Sequence, residues 1–317
     1  MTHFFNLRLT TLILVVASFG FVQCQEALEL LESIQSQSNN RVPQATKLVY
    51  SEAESASATT VYERIVNALE ANENIGIVAE VNHQANAASV NLDLPPTRVV
   101  LFGNPNLGTP LMQANQQTGI DLPQKILVYE NGNDRVFAAY NSVDYLAERH
   151  DVSDVPTLST IEQALTRLIE NTTEGSAKTT RQKRIKKGEG IVTVASDQPF
   201  EDTYDKLRST IDGNPNLRIV AELDHQANAA SVGLDLNPTR LIVFGNPNLG
   251  TPLMQESQTI GIDLPQKMLV YETESGEVYI AYNDPEFLAE RHGIKDADDI
   301  LNTIANALAN LAQTAAN

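Results

Sequence analysis

The sequence predicts an α+β fold built twice in tandem, each copy a mostly antiparallel sheet with helices packed on one face. Three observations predict it. The stretch HQANAASV at 83–90 recurs unchanged at 225–232, and the same offset of 142 carries Phe102 to Phe244, Lys125 to Lys267, Tyr140 to Tyr282 and His150 to His292 with no gap. Within each copy, apolar runs of strand length alternate with apolar residues at helical spacing. Two apolar runs also flank a Ser275-Gly276 turn, matched by Asn131-Gly132, a hairpin signal that makes the pairing antiparallel.

Taken in order, the first two dozen residues read as an export signal. A short start with Arg8 precedes the apolar run 12–22, and a cleavage point falls after Cys24. That run is shorter than the about 20 residues a bilayer-spanning helix needs, so we expect a secreted, periplasmic or cell-envelope protein with no stable membrane span. Cys24 is the single cysteine, which excludes an intrachain disulfide and a cysteine-based metal centre. It could instead be lipidated, although Gln23 stands where such signals want a small residue. Residues 25–46 read as a flexible N-terminal segment, 47–170 as the first repeat domain, 171–188 as a basic polar linker and 189–314 as the second repeat domain.

Repeat two is the cleaner copy. The run 191–194 is a strand, and Phe200, Tyr204, Leu207 and Ile211 then fall on one helix face, with Pro199 suited to its start. Residues 217–223 form the next strand. The Ala-rich 225–232 segment is a short helix that ends where Asn91 of one copy becomes Gly233 of the other, the two residues most at ease in a left-handed C-cap. The runs 241–244, 268–271 and 278–282 are strands. A last helix carries Leu158, Ile161, Leu165 and Leu168 in one copy and Leu301, Ile304, Leu308 and Leu311 in the other. The corresponding start of repeat one, 48–69, lacks this apolar regularity, so repeat one is expected to be the looser copy.

The copies are unequally alike. Over 83–130 against 225–272, 38 of 48 positions are identical, whereas over 48–82 against 190–224 only 8 of 35 agree. A shared site or core, or recent gene conversion, would each hold the central block. A repeat of this kind also lets one copy cover the other's sheet, so an intramolecular pseudo-dimer is expected.

A net charge of -18 repels phosphate backbones and anionic headgroups, which argues against nucleic acid and membrane surfaces as partners. The basic cluster at 181–187, RQKRIKK, reads as a solvated linker, a protease-processing site or a tether on the acidic domains. Asn171-Thr172-Thr173 would be a glycosylation acceptor in a eukaryotic host.

The central block holds the candidate site. FGNPNLGTPLMQ at 102–113 recurs at 244–255, and GIDLPQK at 119–125 recurs at 261–267. The Gly-Thr-Pro run reads as a helix start with Thr as N-cap and free N–H groups that can hold an anion or carboxylate. Asn104, Gly108 and Thr109, with Asn246, Gly250 and Thr251, are therefore candidate ligand-binding residues; the alternative is a tight turn whose glycines and prolines only shape the chain. His83, Asp121 and Lys125, with His225, Asp263 and Lys267, would form a general acid–base set if the fold brings them together. Otherwise they are a helix cap, a turn and a solvated lysine. His150 and His292 read as cations at helix C-termini. The His83 imidazole and Met112 thioether suit copper or haem, but no haem, zinc or nucleotide motif accompanies them, so no metal or cofactor is expected.

On these two motifs the chain resembles the domain of unknown function 302 family over both repeats. The resemblance implies a TATA-binding-protein-like arrangement of antiparallel sheet and packed helices, and no established activity. The expected function is a non-enzymatic small-ligand-binding or interaction protein, with an acid–base enzyme as the alternative.

Overall fold

The computed structural model describes residues 42–317. Repeat one runs β1 (Leu48–Glu52), α1 (Ala58–Glu70), β2 (Gly76–Asn82), α2 (His83–Ala88), β3 (Thr97–Gly103), α3 (Pro105–Ala114), a 3-10 turn (Gln116–Ile120), β4 (Gln124–Glu130), β5 (Val136–Asn141), α4 (Val143–His150) and α5 (Thr157–Thr173). A two-residue strand β6 (Lys178–Thr179) leads into repeat two. That copy runs β7 (Ile191–Ser196), α6 (Phe200–Asp212), β8 (Arg218–Asp224), α7 (His225–Ser231), β9 (Thr239–Gly245), α8 (Pro247–Glu256), a 3-10 turn (Gln258–Ile262), β10 (Gln266–Glu272), β11 (Val278–Asn283), α9 (Pro285–His292) and α10 (Asp298–Ala316).

The strands form two antiparallel sheets, in the orders β2-β3-β4-β5-β1-β6 and β7-β11-β10-β9-β8. Side chains alternate across a strand, and this period divides each sheet between two cores. Val100, Phe102, Ile126 and Val128 face the helices α1 and α5, which bury Val61, Tyr62, Ile65, Leu158 and Leu165 against them. The alternate set Val99, Leu101, Leu127 and Tyr129 meets Leu241, Val243, Leu269 and Tyr271 of the other sheet in a shared core. The repeats thus pack sheet to sheet with helices outside, four layers deep. Strands buried on both faces read as continuous apolar runs, as 99–102 and 241–244 do.

The short helices end as the residues dictate: Asn91 and Gly233 take positive φ of 57° and 74° after α2 and α7. In the repeat-one hairpin, Asp134 carries the positive φ. The last helix of repeat one buries Ile169 where Leu168 was expected, and Leu168 packs only partly against the core.

Four expectations are corrected. The repeats are not in gapless register throughout: Leu48 pairs with Asn141 but Ile191 with Asn283, so the first strands match at an offset of 143, while α1 and α6 match at 142. Repeat two is one residue shorter between that strand and helix. Nor is repeat one the looser copy, because β6 covers β1, leaving four of its five residues buried, whereas β7 is an edge strand. The linker is mostly exposed yet fixed. Thr180 N–H donates to Leu48 O at 2.9 Å, Thr46 and Arg181 form a parallel bridge, and Ile185 is 4 % exposed within the first helix-side core. The described end of the N-terminal segment is packed as well, with Ala45 fully buried and Thr46 N–H donating to Arg291 O at 2.9 Å. The signal, Cys24 and residues 25–41 lie outside the described residues.

Candidate functional site

The Gly-Asn-Pro motif builds a helix start, but one turn earlier than expected. Asn104 is the N-cap, its side chain accepting from Asn106 N–H at 3.0 Å, and Pro105 occupies the first helical position; Asn246 and Pro247 do the same. Asn is the stronger cap and Pro suits N1, so Asn-Pro outcompetes Thr-Pro. Thr109 and Thr251 fall inside the helices, fully buried, with hydroxyls that find no partner. A Cβ on Gly108 or Gly250 would meet Leu122 or Leu264 at ordinary contact, 3.6 and 3.5 Å. Gly103 and Gly245 are the tighter positions, because a Cβ there would meet cis Pro123 and Pro265 of the second motif at 3.4 and 3.2 Å. The two motifs recur together because they pack on each other.

The acid–base residues are likewise drawn into packing. His83 does not face its own Asp121; it crosses to the other repeat, where its Nε2–H donates to Gly261 O at 3.0 Å. His225 lies in the same way against Gly119, its Nε2 approaching the Gly119 backbone without completing a hydrogen bond. Burial holds both imidazoles neutral, lowering each pKa to about 4. Gln113 and Gln255 also cross, donating to Asp235 O and Asp93 O at 2.7 Å. Gln116 and Gln258 donate to Thr239 and Thr97 hydroxyls at 2.7 and 2.9 Å.

Asp121 and Asp263 are the anions of one buried cluster at the centre of the molecule. Asp121 accepts from Arg149 Nη1 and His150 Nε2, each at 2.8 Å, and Asp263 accepts from Arg291 Nη1 and, at 2.8 Å, from His292 Nε2. The arginines then tie the repeats together: Arg149 Nη2 donates to Asn283 Oδ1 at 2.9 Å and Arg291 Nη2 to Asn141 Oδ1 at 2.8 Å. His292 carries a proton on Nε2, since the Asp263 carboxylate it faces can only accept, and its Nδ1 lies 2.9 Å from the Thr259 hydroxyl. His150 and His292 are therefore members of this cluster and not exposed helix-end cations. Burial would raise the Asp263 carboxyl, but the neighbouring Arg291 and His292 override it and hold it well below the carboxylate range.

The lysines expected in solvent are buried instead. Lys125 shares its face of β4 with Leu127 and Tyr129, and Lys267 its face of β10 with Leu269 and Tyr271. Their amines donate to Asp121 O at 3.4 Å and Asp263 O at 2.7 Å. Burial, reinforced by Lys125, pushes Lys267 down to about 7. Sequence reasoning missed Arg149, Arg291, Asn141, Asn283 and Tyr145, whose hydroxyl accepts from Arg149 Nη1 at 2.8 Å; the Glu-Arg-His triplet repeated at both helix ends was the available signal.

Met112 lies in the helix-side core of repeat one, while His83 turns to Gly261. Among the described residues, no group of three or more His, Cys, Asp or Glu is placed to hold a metal ion.

The open features lie at the surface. A groove of about 650 Å³ runs between the end of α3 with the following 3-10 turn, through Met112, Gln113 and Gln116, and the repeat-two segments carrying Asp235, Asn237 and Glu274. An acidic groove of about 430 Å³ separates α4 from α5.

Comparison with known proteins adds a family and no activity. The chain is 40% identical over 111 residues to "Fluoride-specific ion channel FluC 1" of Brucella suis biovar 1 (strain 1330), covering 35% of this chain and 43% of that protein. The same identity and length relate it to FluC 1 of Brucella abortus biovar 1 (strain 9-941), 41% of which is covered. The chain thus spans about two fifths of the curated relatives it matches, and no helix among the described residues is long and apolar enough to cross a membrane. A crystal structure of an uncharacterized conserved DUF302 protein from Bacillus stearothermophilus matches at 19% identity and a TM-score of 0.37, covering 41% of this chain and 99% of that one. The model of the domain of unknown function DUF302 matches residues 50–172 and again 192–311, and the chain belongs to that family, carrying its domain twice.

Proposed function

We propose that this is an exported, non-enzymatic protein that binds a small polar ligand in the groove between its repeats. The observation that carries this reading is the fate of the acid–base residues. His83, Asp121 and Lys125 and their copies are all buried, and their polar atoms are directed at the other repeat, at an arginine or at the backbone. A general acid or base must reach its substrate within hydrogen-bonding distance, and burial keeps these groups out of a substrate's reach.

The inter-repeat groove is what remains open beside the Gly-Asn-Pro helix. Its lining is amide-rich and anionic, with Asp235 and Glu274 and no lysine or arginine, which favours a neutral hydroxylated or cationic ligand. Export rests on the N-terminal sequence, and its check is whether the secreted protein begins near residue 25.

Binding is tested by thermal shift and native mass spectrometry of the full chain against a panel of amines, amino acids and polyols. A ligand at a hundred times its Kd stabilises the fold by about 2.7 kcal/mol. Glu274 is exposed on the groove wall, so Glu274→Trp should abolish that shift without altering the unliganded melting temperature. A panel with no binder, or a shift that survives the substitution, refutes the groove.

A further inference from the structure

The basic segment between the repeats has a geometry that its role as a connector does not require. Arg181, Gln182, Lys183 and Arg184 are all exposed and belong to no helix or strand. The next residue is the opposite: Ile185 is buried in the core of repeat one, and its backbone N–H donates to Glu148 Oε2 at 2.9 Å. The other carboxylate oxygen of Glu148 accepts from Lys47 Nζ at 2.9 Å. Both flanks are tied down independently. Upstream, Lys47 N–H donates to Arg181 O at 2.9 Å and Thr180 pairs with Leu48; downstream, Gly188 N–H donates to Arg149 O at 2.8 Å, and Arg149 reaches Glu189 O and Gly190 O at 2.9 Å.

We propose that the Arg184–Ile185 bond is a processing site for a serine endoprotease that reads paired basic residues, and that the cut chain stays assembled as a two-chain protein. Water adds across this amide, leaving a carboxylate on Arg184 and an α-ammonium on Ile185. The protease must first lift Ile185 out of its pocket, a local opening of a short segment rather than of the domain. After the cut, the Ile185 side chain returns to the same pocket. Its nitrogen, now a cation, meets the carboxylate that already accepts its hydrogen bond, so that both partners of the bond carry charge. Cleavage therefore replaces a hydrogen bond from an uncharged amide with an ion pair at a prepared position. The shared sheet-to-sheet core holds the halves together whether or not the connector is whole.

The test treats the folded full chain with a paired-basic-specific serine endoprotease. Two fragments are expected, the second beginning Ile185-Lys186-Lys187, which co-elute at the intact size and separate only in denaturant. The double variant Lys183→Gln/Arg184→Gln should resist. An α-ammonium paired with Glu148 has its pKa raised above the ordinary value of about 8, so its contribution is present below that pH and lost as pH rises through the raised value. The melting temperature of nicked protein should accordingly fall relative to that of intact protein above about pH 8, and nicked Glu148→Gln should lack this pH-dependent difference. A chain that is cut only after denaturation, a first cut after Lys187, fragments that part in native buffer, or a pH response unchanged by Glu148→Gln would each overturn the proposal.

Discussion

Replacing Asp263 with Asn separates a structural cluster from a catalytic one. The carboxylate is fully buried, accepts from Arg291 and His292, and stands beside a carbonyl that accepts from Lys267 at 2.7 Å. Asn keeps the shape and removes the charge, leaving the Arg291 guanidinium buried with Asn141 Oδ1 and Thr46 O as its remaining partners. Breaking a buried pair from one side costs about 3–5 kcal/mol. In a protein of this size each kcal/mol moves the melting temperature by about 2–4 °C, so Asp263→Asn should melt roughly 6–20 °C lower. The control is Lys187→Ala, which removes an exposed pair with Asp151 and should change little. Calorimetry with and without a groove ligand is the assay. Because the folded-state pKa of Asp263 is depressed, its stabilisation is present above about pH 4 and fades only as the pH falls further. A variant that melts within about 1 kcal/mol of wild type would refute the cluster as a structural lock; loss of ligand binding with unchanged melting would turn it into a functional site.

Two more perturbations probe the contact between repeats. His83 and His225 are held neutral by burial, with pKa about 4 against an ordinary value of about 6.5. The unfolded chain therefore takes up protons first, and stability should fall between pH 6.5 and 4 by up to about 3 kcal/mol per histidine. His150 and His292, also lowered by burial, add to the same slope. Denaturant titrations should show that slope flattened, though not abolished, in His83→Gln/His225→Gln; an unchanged slope would show that these rings do not titrate on unfolding. Gly119→Ala would place a Cβ 3.0 Å from Leu269 Cδ1 and 3.4 Å from the His225 ring of the other repeat, and such overpacking should cost about 1–3 kcal/mol in urea unfolding. Wild-type stability in that variant would mean the interface is looser than described.

The uneven likeness of the two copies acquires a physical reason in this interface. Within 83–130 and its copy lie His83, Gln113, Gln116, Gly119, Asp121 and Lys125 with their counterparts, nearly all of which touch the other repeat or the central cluster. In a pseudo-symmetric pair each such residue must suit a surface derived from its own copy, so the two stretches constrain each other. The first strands have different neighbours along the sheet, β6 beside β1 and an open edge beside β7, and the first helices lie on the outer faces, so this part of the repeat could drift by a whole residue.

The sequence by itself determined the duplication, the α+β class, the order of strands and helices, the hairpins and the left-handed caps at 91 and 233. All of these depend on interactions between residues near in the chain, or on a period that one face of one element imposes. Only the tertiary structure decided where the polar residues went. Lys125 and Asp121 look solvated because lysine and aspartate usually are, and the opposite outcome required a second sheet lying over the first. His83 and Asp121 belong to one repeat, yet His83 packs on Gly261 of the other while Asp121 pairs with Arg149 and His150 of its own. The Arg149 and Arg291 side chains acquire meaning only beside carboxylates 28 residues away and asparagines in the other copy. Burial on both faces of a sheet is a property of the partner surface, and no local pattern of residues encodes which surface that will be.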